Sequence, residues 1–221
     1  MLKHPDQRVG VFVDTANMYH SAKNLFHANV NFGAVLEEAV AGRKLIRAIS
    51  YVIKSGSDEE DSFYGALTKQ GFEVRQKDLQ VFPGGMKKAD WDVGLAVDTI
   101  KMANNLDSVV IVSGDGDYTP LLRYLKENKG CLVEVVAFRE TTSSKLVQEA
   151  DDFIDLSEDL DRYLLGSGKA GGRKRVDTPE KRPATRQAAT RQTPTRQTAT
   201  RQTAAQPATG AAAKRKRKVV F

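Results

Sequence analysis

Along the first 165 residues, short apolar runs alternate with longer segments of helical spacing. RVGVFVD (8–14), KLIRAISYVI (44–53), SVVIVS (108–113) and CLVEVVAF (131–138) are rich in β-branched residues and nearly continuously apolar. That is the pattern of strands buried on both faces. FEVRQKDLQVF (72–82) reads as a further extended segment, broken by PGG at 83–85, and FIDL (153–156) as a last short strand or edge. Between them, NMYHSAKNLF (17–26), FGAVLEEAVAG (32–42), DEEDSFYGALTKQG (58–71), Tyr118 to Asn128, SSKLVQEAD (143–151) and SEDLDRYLL (157–165) read as helices. Gly42 is the expected C-cap of the second. In DVGLAVDTIKMAN the spacing of Val93, Ala96, Val97 and Ile100 predicts an amphipathic helix with that stripe inward and Asp92 at its entrance. Strand alternating with helix predicts one α/β sandwich of Rossmann-like type on a mainly parallel sheet.

After Leu165 the pattern stops. GSGKAGGRKR reads as a linker, and Thr-Arg-Gln then recurs every five residues from Thr185 through Arg201 before the chain ends in KRKRKVVF. A five-residue period that buries nothing apolar predicts disorder rather than a repeat fold. The expected division is therefore a folded domain over 1–165 and a basic tail over 166–221. Residues 166–221 hold 15 of the 34 Lys and Arg but two of the 28 Asp and Glu, giving the tail a charge of +13 against −7 for the body. A polybasic arm on an acidic body points to a polyanion as partner, because such an arm gathers one by counterion release without needing a fold. The arm's cations are Arg186, Arg191, Arg196 and Arg201 in the repeats and Lys214, Arg215, Lys216, Arg217 and Lys218 at the end. In a nucleated cell the same run would read as an import signal.

The lone Cys131 sits in an apolar run, which predicts a buried thiol and a reducing compartment. No segment approaches the roughly 20 apolar residues needed to span a bilayer. A soluble, cytoplasmic protein is the expectation.

In a parallel sheet all strand ends open on one edge, where α/β folds bind ligands. The first strand ends at Asp14, with Asn17 one helical turn on. SGDGDY, after the fourth strand, supplies Asp115 and Asp117, and Asp90 and Asp92 stand at the start of the preceding helix. Gly114 and Gly116 let the backbone turn sharply there. Asp117 suits a helix cap, whereas Asp115 at the strand end has no capping role to explain it. Carboxylates from separate segments repel one another unless a cation neutralises them. An oxygen-only set favours Mg²⁺ or Mn²⁺, and His4, His20 and His27 lack the paired spacing of a zinc site. Asp98, six positions beyond Asp92, has turned about 240° around its helix and could reach the cation only indirectly, or else bonds a neighbouring loop. GSGKA (166–170) lacks the earlier glycine and following Ser/Thr of a phosphate-binding loop. FVDTAN resembles the nucleophile motif of haloacid-dehalogenase-type phosphatases, but Ala16 stands where those need a second aspartate.

Taken in order, VFVDTANMY, KKADWDVGLAVD, VVIVSGDGDYTPLLRYLKENKG and SSKLVQEADDFIDL resemble the NYN domain of the PIN-like nuclease superfamily, in its LabA-like branch, over about residues 8–156. The resemblance implies a three-layer α/β/α PIN-like sandwich and a metal-dependent ribonuclease acting on single-stranded RNA. It makes Asp14 the central metal ligand, helped by Asn17, with Asp92, Asp115 and Asp117 completing the acidic centre and Asp98 a weaker match to a recurrent family acid. Lys87, Lys88 and the hydroxyls from Thr141 to Ser144, Ser143 among them, would hold phosphates, and Arg139 either joins them or stands as an exposed charge at a strand end. Two other functions stay open on the sequence: an RNA- or protein-binding regulatory module without turnover, and a small-molecule phosphohydrolase. A protein partner or a second copy of the chain also stays open.

Overall fold

The computed structural model describes residues 3–54, 56, 58–81, 87–88 and 90–166. Its elements are β1 (Arg8–Asp14), α1 (Thr15–Phe26), β2 (Asn29–Val30), α2 (Phe32–Val40), β3 (Lys44–Lys54), α3 (Asp58–Lys69), β4 (Glu73–Asp78), β5 (Gln80–Val81), β6 (Lys87–Lys88), α4 (Asp92–Met102), β7 (Ser108–Val112), α5 (Thr119–Tyr124), β8 (Leu132–Ala137), α6 (Ser144–Glu149), β9 (Asp152–Asp155), α7 (Leu160–Tyr163) and β10 (Leu164–Leu165). Six strands form one sheet in the order β4-β3-β1-β7-β8-β9, and every pairing in it is parallel.

Side-chain alternation divides the core between two faces. Val9, Val11 and Val13 of β1, with Val110 and Val112 of β7, pack beneath Met18, Val35 and Leu67 of α1, α2 and α3. Phe12, Val109, Ile111, Val133 and Val135 point the other way, under Leu95, Leu122 and Leu146 of α4, α5 and α6. Helices on both faces bury the middle of the sheet, which is why β1, β7 and β8 are nearly continuously apolar in sequence, while the start of β3 and much of β4 stay partly exposed. The strand order has a topological consequence. From β1 the chain winds outward on one face through β3 to β4, and from β7 it winds outward on the other through β8 to β9. At the β1/β7 boundary the connections diverge, so a crevice opens beyond the carboxyl ends of those two strands.

Several local expectations are corrected. On α4 Leu95 and Thr99 are buried, and Ala96 and Ile100 of the expected stripe pack partly against the core, while Val93 is 74 % and Val97 41 % exposed. The helix is turned by what anchors its start: Trp91 Nε1 donates to the Val52 carbonyl at 2.8 Å and Asp92 is held by Tyr118. The C-cap of α2 is Ala41, at φ 48°, with Gly42 following at φ 72°. The extended segment 72–82 divides at Leu79, whose amide bonds the Lys54 carbonyl, and β5 leaves the main sheet to pair antiparallel with β6. The closing helix spans one 3₁₀ turn, Leu156–Asp159, and α7, after which β10 pairs antiparallel with β2, a strand too short to show as a pattern. The proposed tail lies outside the described residues, apart from Gly166.

One buried ionic network fastens the sheet. Glu134 on β8 is fully buried and accepts from Ser108 Oγ on β7 at 2.6 Å, from Lys3 Nζ at 2.9 Å and from both terminal nitrogens of Arg43. Arg43 also donates to the Ala39 and Val40 carbonyls at the end of α2. Burial pushes the Glu134 pKa up, but the donors from Arg43, Ser108 and Lys3 outweigh it and hold the carboxyl below its ordinary range.

Candidate metal centre

The crevice between β1 and β7 is where the acids meet. β1 ends at Asp14, which is 9 % exposed and caps α1 by accepting from the Asn17 amide at 3.0 Å. Its second oxygen faces Tyr118 Oη at 3.3 Å and Ser113 Oγ at 3.5 Å. The side-chain oxygen of Asn17 accepts from the Gly114 amide at 3.0 Å, so the start of α1 is tied to the turn after β7.

That turn is shaped by packing. Gly114 and Gly116 do not have positive φ. A Cβ at Gly114 would lie 2.9 Å from the Thr141 carbonyl oxygen, and one at Gly116 would lie 2.8 Å from Ser143 Oγ. The glycines therefore serve close approach to the loop after β8, whose Ser143 amide donates to the Gly114 carbonyl. The expected division of labour between the two aspartates is also reversed. Asp115 is the cap: it accepts from the Asp117 amide at 2.9 Å and opens the 3₁₀ turn Gly116–Tyr118. Asp117 is exposed and α5 has no side-chain cap, because the 3₁₀ turn begins two residues earlier than a helix starting at Tyr118 would.

One carboxylate oxygen from each of Asp92, Asp115 and Asp117 lies within 4.8 Å of the others. Asp92 sits at the amino end of α4 and accepts from Tyr118 Oη at 3.1 Å. Burial raises the Asp92 pKa most, and the charges of Asp115, Asp90 and Asp117 add to it. The same holds for Asp14: burial raises its pKa, the Asn17 amide opposes this, and Asp92 and Asp115 push it higher. Carboxyl groups that resist ionising together fit a place where a cation restores the balance. Three oxygen donors with no nitrogen or sulfur suit a hard divalent ion.

These shifts have a consequence in the absence of metal. The folded state holds the Asp14 proton more tightly than the unfolded chain does. Its stabilisation is complete below the ordinary carboxylate range and is lost as pH rises through the raised folded value. In EDTA at pH 8, Asp14→Asn is expected to melt above the parent by roughly 1 kcal/mol, about 3 °C, with the gap closing towards pH 4. Circular-dichroism melts across that range would check it; an Asn variant that melts lower at pH 8 would mean the lost hydrogen-bond geometry outweighs the relieved charge.

The other candidates are placed as follows. Asp98 is drawn away from the centre: its carboxylate accepts from Arg75 at 2.8 Å and Tyr51 Oη at 3.1 Å, beside a cleft of about 650 Å³ between α4 and the start of β3. Arg139 pairs with Asp155 at 3.0 Å and lies over the Phe153 ring, at the β9 side of the sheet. Thr141 and Thr142 spend their hydroxyls on Ser21 and the Phe138 carbonyl, whereas Ser143 packs directly against the turn. Asp90 is half-buried, its carbonyl accepting from Lys77. Lys87 and Lys88 form β6, and their side chains lie outside the described residues, as do all the tail cations. Tyr118 and Ser113 were not anticipated, although both belong to the SGDGDY stretch. A tyrosine following a polar turn reads as core, and its ring is indeed core; only the fold brings its hydroxyl between two carboxylates.

The profile of the NYN domain family matches residues 8–159. The chain belongs to the NYN domain family. NYN domains are part of the PIN-like nuclease superfamily, and the acidic crevice lies inside the matched span. This NYN chain is 25 % identical over 162 residues to the low amplitude and bright protein LabA of Synechococcus elongatus, covering 68 % of this chain and 84 % of that one. It is also 25 % identical over 180 residues to an uncharacterized protein of Methanocaldococcus jannaschii, covering 80 % and 67 % respectively. A solved structure of a Vibrio parahaemolyticus protein of unknown function superposes with a TM-score of 0.68 at 29 % identity, over 75 % of this NYN chain and 100 % of that one. No helix among the described residues is long and apolar enough to cross a membrane.

Proposed function

We propose that this protein is a metal-dependent ribonuclease that cuts single-stranded RNA internally. The observation that carries the reading is the convergence of Asp92, Asp115 and Asp117 oxygens, from two separate segments, at the crevice of a parallel sheet in a nuclease superfamily. These three residues would hold Mg²⁺ or Mn²⁺, which supplies a more acidic water and a positive charge against the phosphate oxygens. The chain's own groups do the rest. Asp14 adds negative charge just beneath the trio, fixed by Asn17, Ser113 and Tyr118. Ser143, whose hydroxyl lies against Gly116, would donate to a phosphate brought to the same crevice. Lys87 and Lys88 remain candidates for phosphate contacts from the segment before α4. No histidine is needed.

End-labelled single-stranded RNA, matched DNA and a phosphomonoester, each incubated with the full chain in Mn²⁺, Mg²⁺ or EDTA, tests this. Internal cutting of RNA that needs metal and is lost in Asp115→Asn supports the nuclease. Intact RNA despite tight metal and RNA binding would replace it with a binding or regulatory module, and phosphate release from the monoester alone would make it a small-molecule phosphohydrolase. We assign RNA capture to the polybasic tail, on its charge of +13. Truncation after Leu165 is expected to weaken RNA binding at least tenfold in low salt and flatten its salt dependence, read by fluorescence anisotropy, while short RNAs are still cut. Unchanged affinity would remove the tail from substrate binding.

A further inference from the structure

We propose that the Tyr118 hydroxyl is a positioning group for the acidic centre, coupling the carboxylate at the end of β1 to the one at the start of α4. The inference rests on the cation reading above and concerns how the chain presents its oxygens to that ion.

Tyr118 Oη stands 3.3 Å from an oxygen of Asp14 and 3.1 Å from an oxygen of Asp92. The ring is 2 % exposed and belongs to the core on the α4 and α5 face, so the hydroxyl is delivered to this point by packing and cannot swing away. A tyrosine hydroxyl carries one proton, and an ionised carboxylate only accepts. The group can therefore donate to one acid at a time and must choose between them.

The two acids are not equivalent. Asp14 is also held by the Asn17 amide and Ser113 Oγ, and stays oriented whichever way the hydroxyl points. Asp92 has no other side-chain hydrogen bond among the described residues, yet it belongs to the trio of converging oxygens and Asp14 does not. A hydroxyl that donates to Asp92 fixes the carboxylate's rotamer before the ion arrives. A cation that takes density from Asp92 turns the donor towards Asp14. The charge of Asp14 thus reaches the ion partly through Tyr118, and removing either residue should undo the same effect. Partners of this kind, one bond removed from the ion, are typically worth 10–100-fold in metal affinity.

A double-mutant cycle on Mn²⁺ affinity, read on the full chain by the electron paramagnetic resonance of free Mn²⁺, tests this directly. Tyr118→Phe keeps the ring and is expected to bind Mn²⁺ about tenfold more weakly. In the Tyr118→Phe background, Asp14→Asn should cost much less than it costs alone. Asp117 is exposed and makes no bond to Tyr118, so Asp117→Asn should cost the same factor in both backgrounds. A merely structural role for the hydroxyl would alter both cycles alike and overturns the proposal. So does a Tyr118→Phe chain that binds within twofold of the parent, or an Asp14 cycle whose factors simply multiply. A parent chain that binds no Mn²⁺ would instead overturn the cation reading itself. The expected cycle in a chain that leaves RNA intact supports the positioning role while sinking the ribonuclease.

Discussion

Asp92→Asn is expected to lower metal-dependent RNA cutting by at least about 100-fold, while the fold survives intact. The size follows from position. Residues one bond removed from a metal cost up to about 100-fold when changed, and Asp92 would touch the ion directly. The survival follows from what the side chain does locally. Asp92 is the first residue of α4 and makes no cap bond there, and an asparagine oxygen can still accept from Tyr118 Oη. Removing the charge also relieves repulsion from Asp115, Asp90 and Asp117, the groups that, after burial, raise its pKa. The melting temperature in EDTA should therefore be unchanged or higher, and Mn²⁺ should no longer raise it. Ligand-linked stabilisation scales with occupancy, so parent and variant melts with and without Mn²⁺ separate loss of binding from loss of structure. A variant that still cuts within tenfold of the parent would take Asp92 out of the centre.

The largest stability effect is expected at the opposite kind of site, where nothing is catalytic. Glu134→Gln leaves Arg43, which is 5 % exposed, without its counter-charge, while Lys3 keeps only Asp152 at 3.5 Å. Breaking a buried pair from one side costs about 3–5 kcal/mol. For a domain of this size that is a fall of roughly 10 °C in melting temperature. The loss should also depend on pH. Because the folded carboxyl is held below its ordinary range, its contribution is present at neutral pH and disappears as pH falls through the lowered value. Parent and variant therefore converge in acid. Arg43→Met with Glu134→Leu removes both charges and should recover a large part of the loss, since the pair's own attraction is offset by desolvation. A single variant that melts within 2 °C of the parent would mean Lys3 and solvent already satisfy the network without Glu134.

Much of this architecture is legible in the chain because burial on both faces leaves a direct trace. The runs around Val11, Val110 and Val135 are apolar apart from Glu134 since helices cover both sides of the sheet there, and the order of strand and helix follows from those runs. Helix rotation is less legible. Both Val93/Val97 and Leu95/Thr99 are consistent with an amphipathic α4, and the anchors that choose between them, Val52 and Tyr118, are 39 and 26 residues away in sequence from the groups they hold. The same limit applies to the site. That SGDGDY carries paired carboxylates to a strand end is evident from the residues. Which one caps the turn depends on where the 3₁₀ turn begins, and the need for Gly114 depends on a loop that arrives from residue 141.

The sequence by itself determined the parallel α/β fold, the rim on which Asp14, Asp92, Asp115 and Asp117 stand, and the charge asymmetry between residues 1–165 and 166–221, because hydrophobic period and composition are local properties of the chain. The tertiary structure decided that β1 and β7 are neighbours at the crevice, that Asp98 turns away to Arg75, and that Tyr118 stands between Asp14 and Asp92. Those facts depend on distances between residues up to 104 apart, which packing sets and no local pattern encodes.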